Sequence, residues 1–516
     1  MKEKIREYIL KFLDIQPAEA KSVSIQESLS FENTVLKNRL WYRGDPAELD
    51  QFFKESALES TAQSRFWASV PSKDSNIRKI HSGLPGEIID KLVDLVVVSM
   101  GEFIFDQDGD VEQLSEKEEA LRDLWIEIEE DNRLREEGYA QAIKETLIAG
   151  DGAFKISIDT ELSEYPIIEY YSGERVRYSY KRGRLQGVSF FNAYIVDKKQ
   201  YQLEEEYKRG TIRYTLRDAR GKEVPITTVP EIAHLKPVDF DGDFMMAIPM
   251  RFIGSAKFKN RGASILERKT DAFDALDEVI SQWIDAIRAG RVKNYIPEDL
   301  LPKDPSTGQV MRANPFDNQF IRKSSSMKEG AADNIDQVQA SINYAAFVES
   351  YANALDMCMQ GVLSPSTLGI DLKKTDNALA QREKEKATLY TRSLMVNVLI
   401  EILPALVIAS VKTKDIIDGH APRDFDVSIS FGEYAAPDFD SQIATIGQAR
   451  SYGIMSLEKA ILELYGDSMT EEEREQEVKR IRAERESLLN PPEVSVDDLE
   501  REDEEPEEDE EVENES

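Results

Sequence analysis

The hydrophobic period changes abruptly at "LIAGDGAFKISID" (147–159), and that change limits the folds open to this chain. Upstream, apolar residues recur at helical spacing, most clearly Ile88, Leu92, Leu95 and Val96 in "GEIIDKLVDLVVVSM" (86–100). Downstream, from 154 to 235, the period is two. "YPIIEYY", "RVRYSYK", "GVSFFNAYIV", "QYQLEEEYK" and "TIRYTLRD" read as strands, separated by turns such as Ser172-Gly173 and Arg209-Gly210. Their tyrosines alternate with charges, which leaves one face of the sheet wet and predicts antiparallel pairing. Helical spacing returns in "GASILERKTDAFDALDEVISQWIDAIRAG", where Ile265, Phe273, Leu276, Ile280, Trp283 and Ile287 form a stripe. The fold class is therefore α+β.

Around this switch the remaining elements fall into order. Asp45-Pro46 reads as a cap followed by the first residue of a helix. A charged helical stretch covers 113–149, and residues 291–323, with Pro297, Pro302, Pro305 and Pro315, read as short strands and turns. They sit between the helix at 262–289 and a second one at 332–359. A third helix runs from about 376 toward Pro404, where the missing N–H predicts a kink or stop. "DVSISF" (426–431) alternates as a strand; two short helices joined at Tyr452-Gly453 and a charged helix ended by Pro491 and Pro492 follow. The N-terminal 22 residues and the apolar run from Leu394 to Ala409, which contains Asn397, Glu401 and Pro404, are read as soluble helical elements, neither a leader nor a membrane span.

Charge narrows the function. The net charge is -34, and residues 493–516 hold fifteen acids against one arginine, too few apolar groups to repay ordering, so this tail is expected to be disordered. The body keeps about -20, which argues against a wrapper of nucleic acid that works by releasing counterions. It is compatible with a passage that nucleic acid crosses without sticking. With 41% hydrophobic residues in 516, more than one core can form. The single cysteine, Cys358, excludes an intrachain disulfide and a cysteine cluster for zinc, and suits a reducing compartment.

Recognisable catalytic patterns are absent. His81, His234 and His420 lie far apart in sequence, without the spacing of a zinc site. "DQDGD" (106–110) has its glycine fourth where a calcium loop needs it sixth, and reads as an acidic turn. Ser325 and Lys328 stand at Ser-x-x-Lys spacing without the companion motifs of that chemistry, and no phosphate-binding Gly-rich loop with its lysine occurs. The one enzymatic alternative is a magnesium-dependent hydrolase or nuclease built on Asp239, Asp241 and Asp243 in "DFDGD". These absences favour a structural or interaction protein, with no cofactor and no metal.

One loop departs from its surroundings. "GVLSPSTLGIDLKKTDNALAQREKEKA" (361–387) interrupts helical sequence with Gly361, Pro365 and Gly369, an apolar Leu368-Gly369-Ile370 tip, and Lys373 and Lys374. Apolar tips are unusual choices for an ordinary exposed loop. Leu368 and Ile370 either tuck into their own subunit or meet copies of themselves around an axis.

Taken in order, "LKNRLWYRGDPAELDQFF" (36–53), "IIDKLVDLVV" (89–98), "AIKETLIAGDGAFKISID" (142–159), "LSPSTLGIDLKKTDNALAQREKEKATLYTR" (363–392) and "DFDSQIATIGQARSYGIMSLEKAILELYGD" (438–467) resemble the portal proteins of tailed bacteriophages and prophages. The resemblance spans about 30 to 490. It implies an N-terminal helical arm (1–30), a wing of helices and antiparallel sheet (31–255), a first stem helix (256–290), a clip (291–325) and a second stem helix (326–360). A tunnel loop (361–375), a long helix with the remainder of the wing (376–437), a helical crown (438–492) and the acidic tail (493–516) complete it.

What the resemblance implies for function is equally specific. Such subunits form a homo-oligomeric ring, usually of twelve, at a unique capsid vertex of the virion. Double-stranded DNA is packaged and ejected through its axis. Terminase and later head-completion or adaptor proteins dock at the clip, major capsid and scaffolding proteins surround the ring, no membrane takes part, and assembly occurs in the host cytoplasm. The channel residues would be Leu363, Ser364, Leu368, Gly369, Ile370, Lys373 and Lys374, the lysines making weak phosphate contacts.

Overall fold

Local sequence signals open and close the first elements. The Ser30 side chain accepts from the Asn33 N–H and starts α1 (Phe31–Arg43), which Gly44 closes in the left-handed conformation. Asp45 Oδ1 accepts from the Ala47 N–H at 2.8 Å, so α2 (Pro46–Ala57) begins at its proline as expected. In the computed structural model the described residues are 30–57, 65–69, 77–105, 116–297, 305–308, 319–323, 336–339, 341–370, 378–432, 446–465, 474 and 476–482. The expected N-terminal arm, the acidic turn at 106–110, Ser325 and Lys328, and the acidic tail lie outside them.

The chain divides into two compact units, Met1–Gly432 and Glu433–Ser516. In the first, α3 (Leu84–Val97) buries Ile88, Ile89, Leu92, Val93 and Val96, then turns into β1 (Met100–Ile104). The helical stretch expected at 113–149 is two helices, α4 (Glu116–Asp131) and α5 (Tyr139–Ala149). Arg133, at φ 50°, breaks the run and a π-helical turn at Leu134–Gly138 restarts it.

The period-two region folds as its alternation requires. β2 (Asp151–Ser157) lies between β3 (Ile167–Ser172) and a later strand, all antiparallel. β4 (Val176–Lys181), β5 (Arg184–Val196), β6 (Lys199–Lys208), β7 (Thr211–Asp218) and β8 (Glu223–Val224) form an antiparallel meander, with β9 (Val238–Asp239) also on β7. Along β6, Tyr201, Leu203, Glu205 and Tyr207 are buried and the intervening residues are half-buried, the signature of a sheet with one wet face. The strand completing the β2 sheet is β10 (Ala247–Arg251).

Two helix boundaries differ from expectation. The helix expected at 262 begins eight residues later, as α6 (Thr270–Ala289). Gly262 packs backbone to backbone against Gly150, so close that a Cβ on Gly262 would stand 2.0 Å from the Gly150 carbonyl oxygen. Ser264 Oγ donates to the Leu147 carbonyl at 2.7 Å, which ties the intervening segment to α5 and diverts it from helix. After β11 (Lys293–Pro297), β12 (Gln319–Lys323) and β13 (Asp336–Val338), the second helix is α7 (Tyr344–Met359), not 332–359. Residues 336–338 pair with β11, and Asn343 caps α7 by accepting from the Ala346 N–H. β11 pairs parallel with β12 and antiparallel with β13.

The third helix, α8 (Ala378–Ile417), runs through Pro404, so of the kink or stop expected there the stop does not occur. Proline removes the N–H that would meet the Ile400 carbonyl, and Ile400 lies on the exposed side of the helix. On the other side Leu399, Leu403, Leu406 and Val407 are buried across the proline, holding both halves in one core. The expectation that this segment is too short and polar to span a membrane needs correction. Glu385–Ile417 is long and apolar enough by length and composition, while 50% of its most apolar window is buried within the protein. β14 (Ser428–Phe431) pairs antiparallel with β1.

The main core gathers Trp41, Trp67, Trp125, Phe154, Phe190 and Phe273 with α3 and α8. A smaller cluster, Tyr201, Leu203, Leu216, Val229 and Ile232, backs the meander. In the second unit a helical turn at 446–451 ends at Gly453, φ 69°, and α9 (Leu457–Tyr465) starts where the Ser456 hydroxyl accepts from the Lys459 N–H. The two short helices joined at Tyr452-Gly453 are thus present.

Candidate channel loop and assembly surfaces

α6 and α7 form a hairpin of helices whose tip carries β11, β12 and β13. At its root, α6 turns Asp274, Asp277 and Ser281 toward segments 65–69 and 77–83. Asp277, fully buried, accepts from the Ser82 N–H at 2.8 Å and Trp67 Nε1–H at 3.1 Å, and faces His81 Nδ1 at 2.6 Å. Asp274 accepts from the Phe66 and Trp67 N–H groups, and Ser281 Oγ accepts from the Ile80 N–H. Burial pushes the Asp274 carboxyl up, against the backbone hydrogen bonds and Arg65 that pull it down. Sequence reading passed over these residues. Their signal was polar side chains at i, i+3 and i+7 alongside the apolar stripe of an amphipathic helix.

Farther along the hairpin the two helices meet through aromatic rings. Trp283 is stacked nearly parallel to Phe347 at 6.4 Å and also adjoins Tyr344 and Tyr351. Gly290 passes so close to Ile342 that a Cβ there would stand 2.7 Å from its side chain. Several apolar side chains of the two helices remain uncovered. Ile287 is 45%, Tyr344 66%, Val348 39% and Met357 57% exposed. Cys358, on the same helix, is fully buried, and burial pushes its thiol up to about 12.

The loop after α7 is fastened to α8. Gly361 and Gly369 both adopt left-handed backbone, bracketing a short 3-10 turn at Pro365–Leu368. The Ser364 N–H donates to Thr388 Oγ1 at 2.9 Å, Thr391 Oγ1 donates to the Val362 carbonyl at 2.7 Å, and the Thr367 and Thr388 hydroxyls are 3.0 Å apart. Leu363 and Ser364 are buried. Leu368 and Ile370 are half-buried and pack against the main core of their own unit, whereas Gly369 is exposed. Of the residues expected to face a channel, Lys373 and Lys374 lie outside the described residues.

The geometry gives the enzymatic alternative no support. Asp239, Asp241 and Asp243 are all exposed. Arg213 holds Asp239 at 2.6 Å and lowers its carboxyl, while Arg209 stands 3.4 Å from Asp243. Among the described residues no group of three or more His, Cys, Asp or Glu is placed to hold a metal ion.

No protein-family model matches this chain, and no curated protein matches it. It is similar to two solved structures of particle necks. One, the neck of a native GTA particle computed with C12 symmetry, is 12% identical over 73% of this chain and 89% of the other, with a TM-score of 0.35. The second, the neck of an empty GTA particle computed with C6 symmetry, is 14% identical over the same shares, with a TM-score of 0.37. Likeness of this grade assigns no role to any residue.

Proposed function

We propose that this chain is the portal subunit of a tailed phage or prophage. Copies close into a ring of about twelve at one capsid vertex, each offering one face to a different face of its neighbour. Double-stranded DNA passes through the axis during packaging and ejection. Terminase, and later head-completion or adaptor proteins, dock on the hairpin tip formed by β11 to β13. Major capsid and scaffolding proteins meet the outer wing after assembly in the host cytoplasm.

The α6–α7 hairpin carries this reading. Its apolar side chains Ile287, Tyr344, Val348 and Met357 stand in water in the single chain. A ring neighbour would bury them, and at roughly half burial each the four contribute about 3–5 kcal/mol per interface. The segment at 361–375 is proposed as the tunnel loop. Leu363 and Ser364 root it in α8, Leu368 and Ile370 hold it against the core of its own unit, the exposed Gly369 stands at its tip, and Lys373 and Lys374 give weak phosphate contacts. Duplex DNA slides past an acidic body with little adhesion.

Negative-stain electron microscopy of the purified chain at low and moderate salt is the test, paired with Val348→Glu. Rings with a central hole are expected, dispersed by the variant without loss of helicity. A monomer under every condition, with Val348→Glu leaving mass and solubility unchanged, would overturn the proposal.

A further inference from the structure

We propose that the outer edge of β4 is a docking site for an extended acidic segment of a partner protein, taken up as an added strand. The inference stands apart from ring formation.

Between Arg175 and Val196 this strongly acidic chain has five cations and no acid. Arg177, Lys181, Arg182 and Arg184 are exposed around the β4–β5 hairpin, whose turn runs through Arg182 (φ 53°) and Gly183 (φ 77°). Toward the middle of the meander three cations are answered by acids: Lys208 by Glu206, Arg217 by Glu204, Arg213 by Asp239. The side chains of Lys181, Arg182 and Arg184 meet no hydrogen-bond or ion-pair partner among the described residues, and Arg177 only lies over the Phe191 ring. Four cations without a carboxylate partner among the described residues thus gather along this edge and its turn.

That edge is also open. Among the described residues β4 has β5 on one side and no strand on the other. Arg261 donates to the Val176 carbonyl at 2.7 Å from outside the sheet, so the Val176 backbone faces away from β5. By strand alternation the backbone groups of Tyr178 and Tyr180 face the same way. An incoming strand would take those groups by main-chain hydrogen bonds, while its alternate carboxylates, about 6.6 Å apart, would run beside Arg177 and Lys181. The same cations repel a second copy of this edge, which guards it against pairing with itself. Nucleic acid fits less well: it has no use for the backbone edge and would meet Glu204 and Glu206 on the same face.

The probe is a labelled synthetic peptide of alternating glutamate and threonine, about ten residues long, titrated into the full chain by fluorescence anisotropy. Binding is expected, with slowed amide exchange at 177–181. A peptide with proline replacing two threonines should bind at least about tenfold more weakly, as should the Lys181→Glu/Arg184→Glu protein. Equal binding of the proline peptide reduces the site to nonspecific attraction and overturns the proposal. So does duplex DNA binding as tightly as the threonine peptide, or no binding at about 1 mM.

Discussion

Replacing Asp277 by alanine should loosen the root of the α6–α7 hairpin more than any other single change on that helix. The carboxylate is fully buried and serves the Ser82 N–H, Trp67 Nε1–H and His81 Nδ1. Removing it strands at least the Ser82 and Trp67 donors where water does not reach, each costing about 1–3 kcal/mol, and takes the hydrogen-bond partner from His81 Nδ1. The expected loss is therefore about 3–5 kcal/mol, a large share of the roughly 5–15 kcal/mol that holds a native domain. Asp277→Asn keeps the volume and one acceptor oxygen and should lose less, about 1–3 kcal/mol. Urea unfolding supplies the magnitude, and hydrogen exchange supplies the place. Segments 65–69 and 77–83 should exchange faster, while β5, β6 and β7, which do not touch Asp277, keep their protection. A loss under about 1 kcal/mol for alanine, or uniform acceleration across the sheet, would refute this account of the root.

Other changes are equally specific. Because burial raises the Cys358 thiol to about 12, the unfolded chain releases that proton first. The stability it contributes is complete below the ordinary thiol range and is lost as pH rises through the raised value; Cys358→Ser should flatten that alkaline decline in a pH series of urea midpoints. Lys155 is buried within 2.8 Å of Glu169 and 3.5 Å of Glu205; burial opposes its charge, but the two carboxylates prevail and raise it. Lys155→Ala should cost about 3–5 kcal/mol by leaving the buried Glu205 without its cation, with only the Asn192 Nδ2–H still donating to it, and adding Glu205→Gln should recover part of it, measured as a double-mutant cycle. Gly44→Ala combines a left-handed backbone with a Cβ that would stand 2.5 Å from His81 Cδ2, so thermal denaturation should reveal a loss above about 1 kcal/mol.

The parts of the fold legible in sequence are those whose cause is local. Asp45-Pro46 announces α2 because cap and proline act within one turn. The alternation of tyrosines and charges places β3 to β7 close to where they fall, since side-chain direction in a strand repeats every two residues. The start of α6 was not legible, because Gly150 against Gly262 and Ser264 against Leu147 join residues more than a hundred positions apart. Pro404 was half legible for a related reason: local chemistry allows a kink or a stop, and burial of Leu399, Leu403, Leu406 and Val407 across it excludes the stop. At the loop, its glycines and apolar tip were visible in advance. Its fastening through Thr388 and Thr391 was not, since a threonine on a helix gives no sign of what it will meet.

By itself, then, the sequence determined the α+β class, the antiparallel meander, the helix that starts at Asp45-Pro46 and the acidic charge, all set by spacing and composition within a few residues. Tertiary structure alone decided the Asp277 root, which apolar side chains of α7 stay uncovered, the pairing of β1 with β14, and the disposal of Asp239, Asp241 and Asp243 among arginines and solvent. Each of those depends on which distant groups share a volume from which water is excluded, and only packing the whole chain settles that.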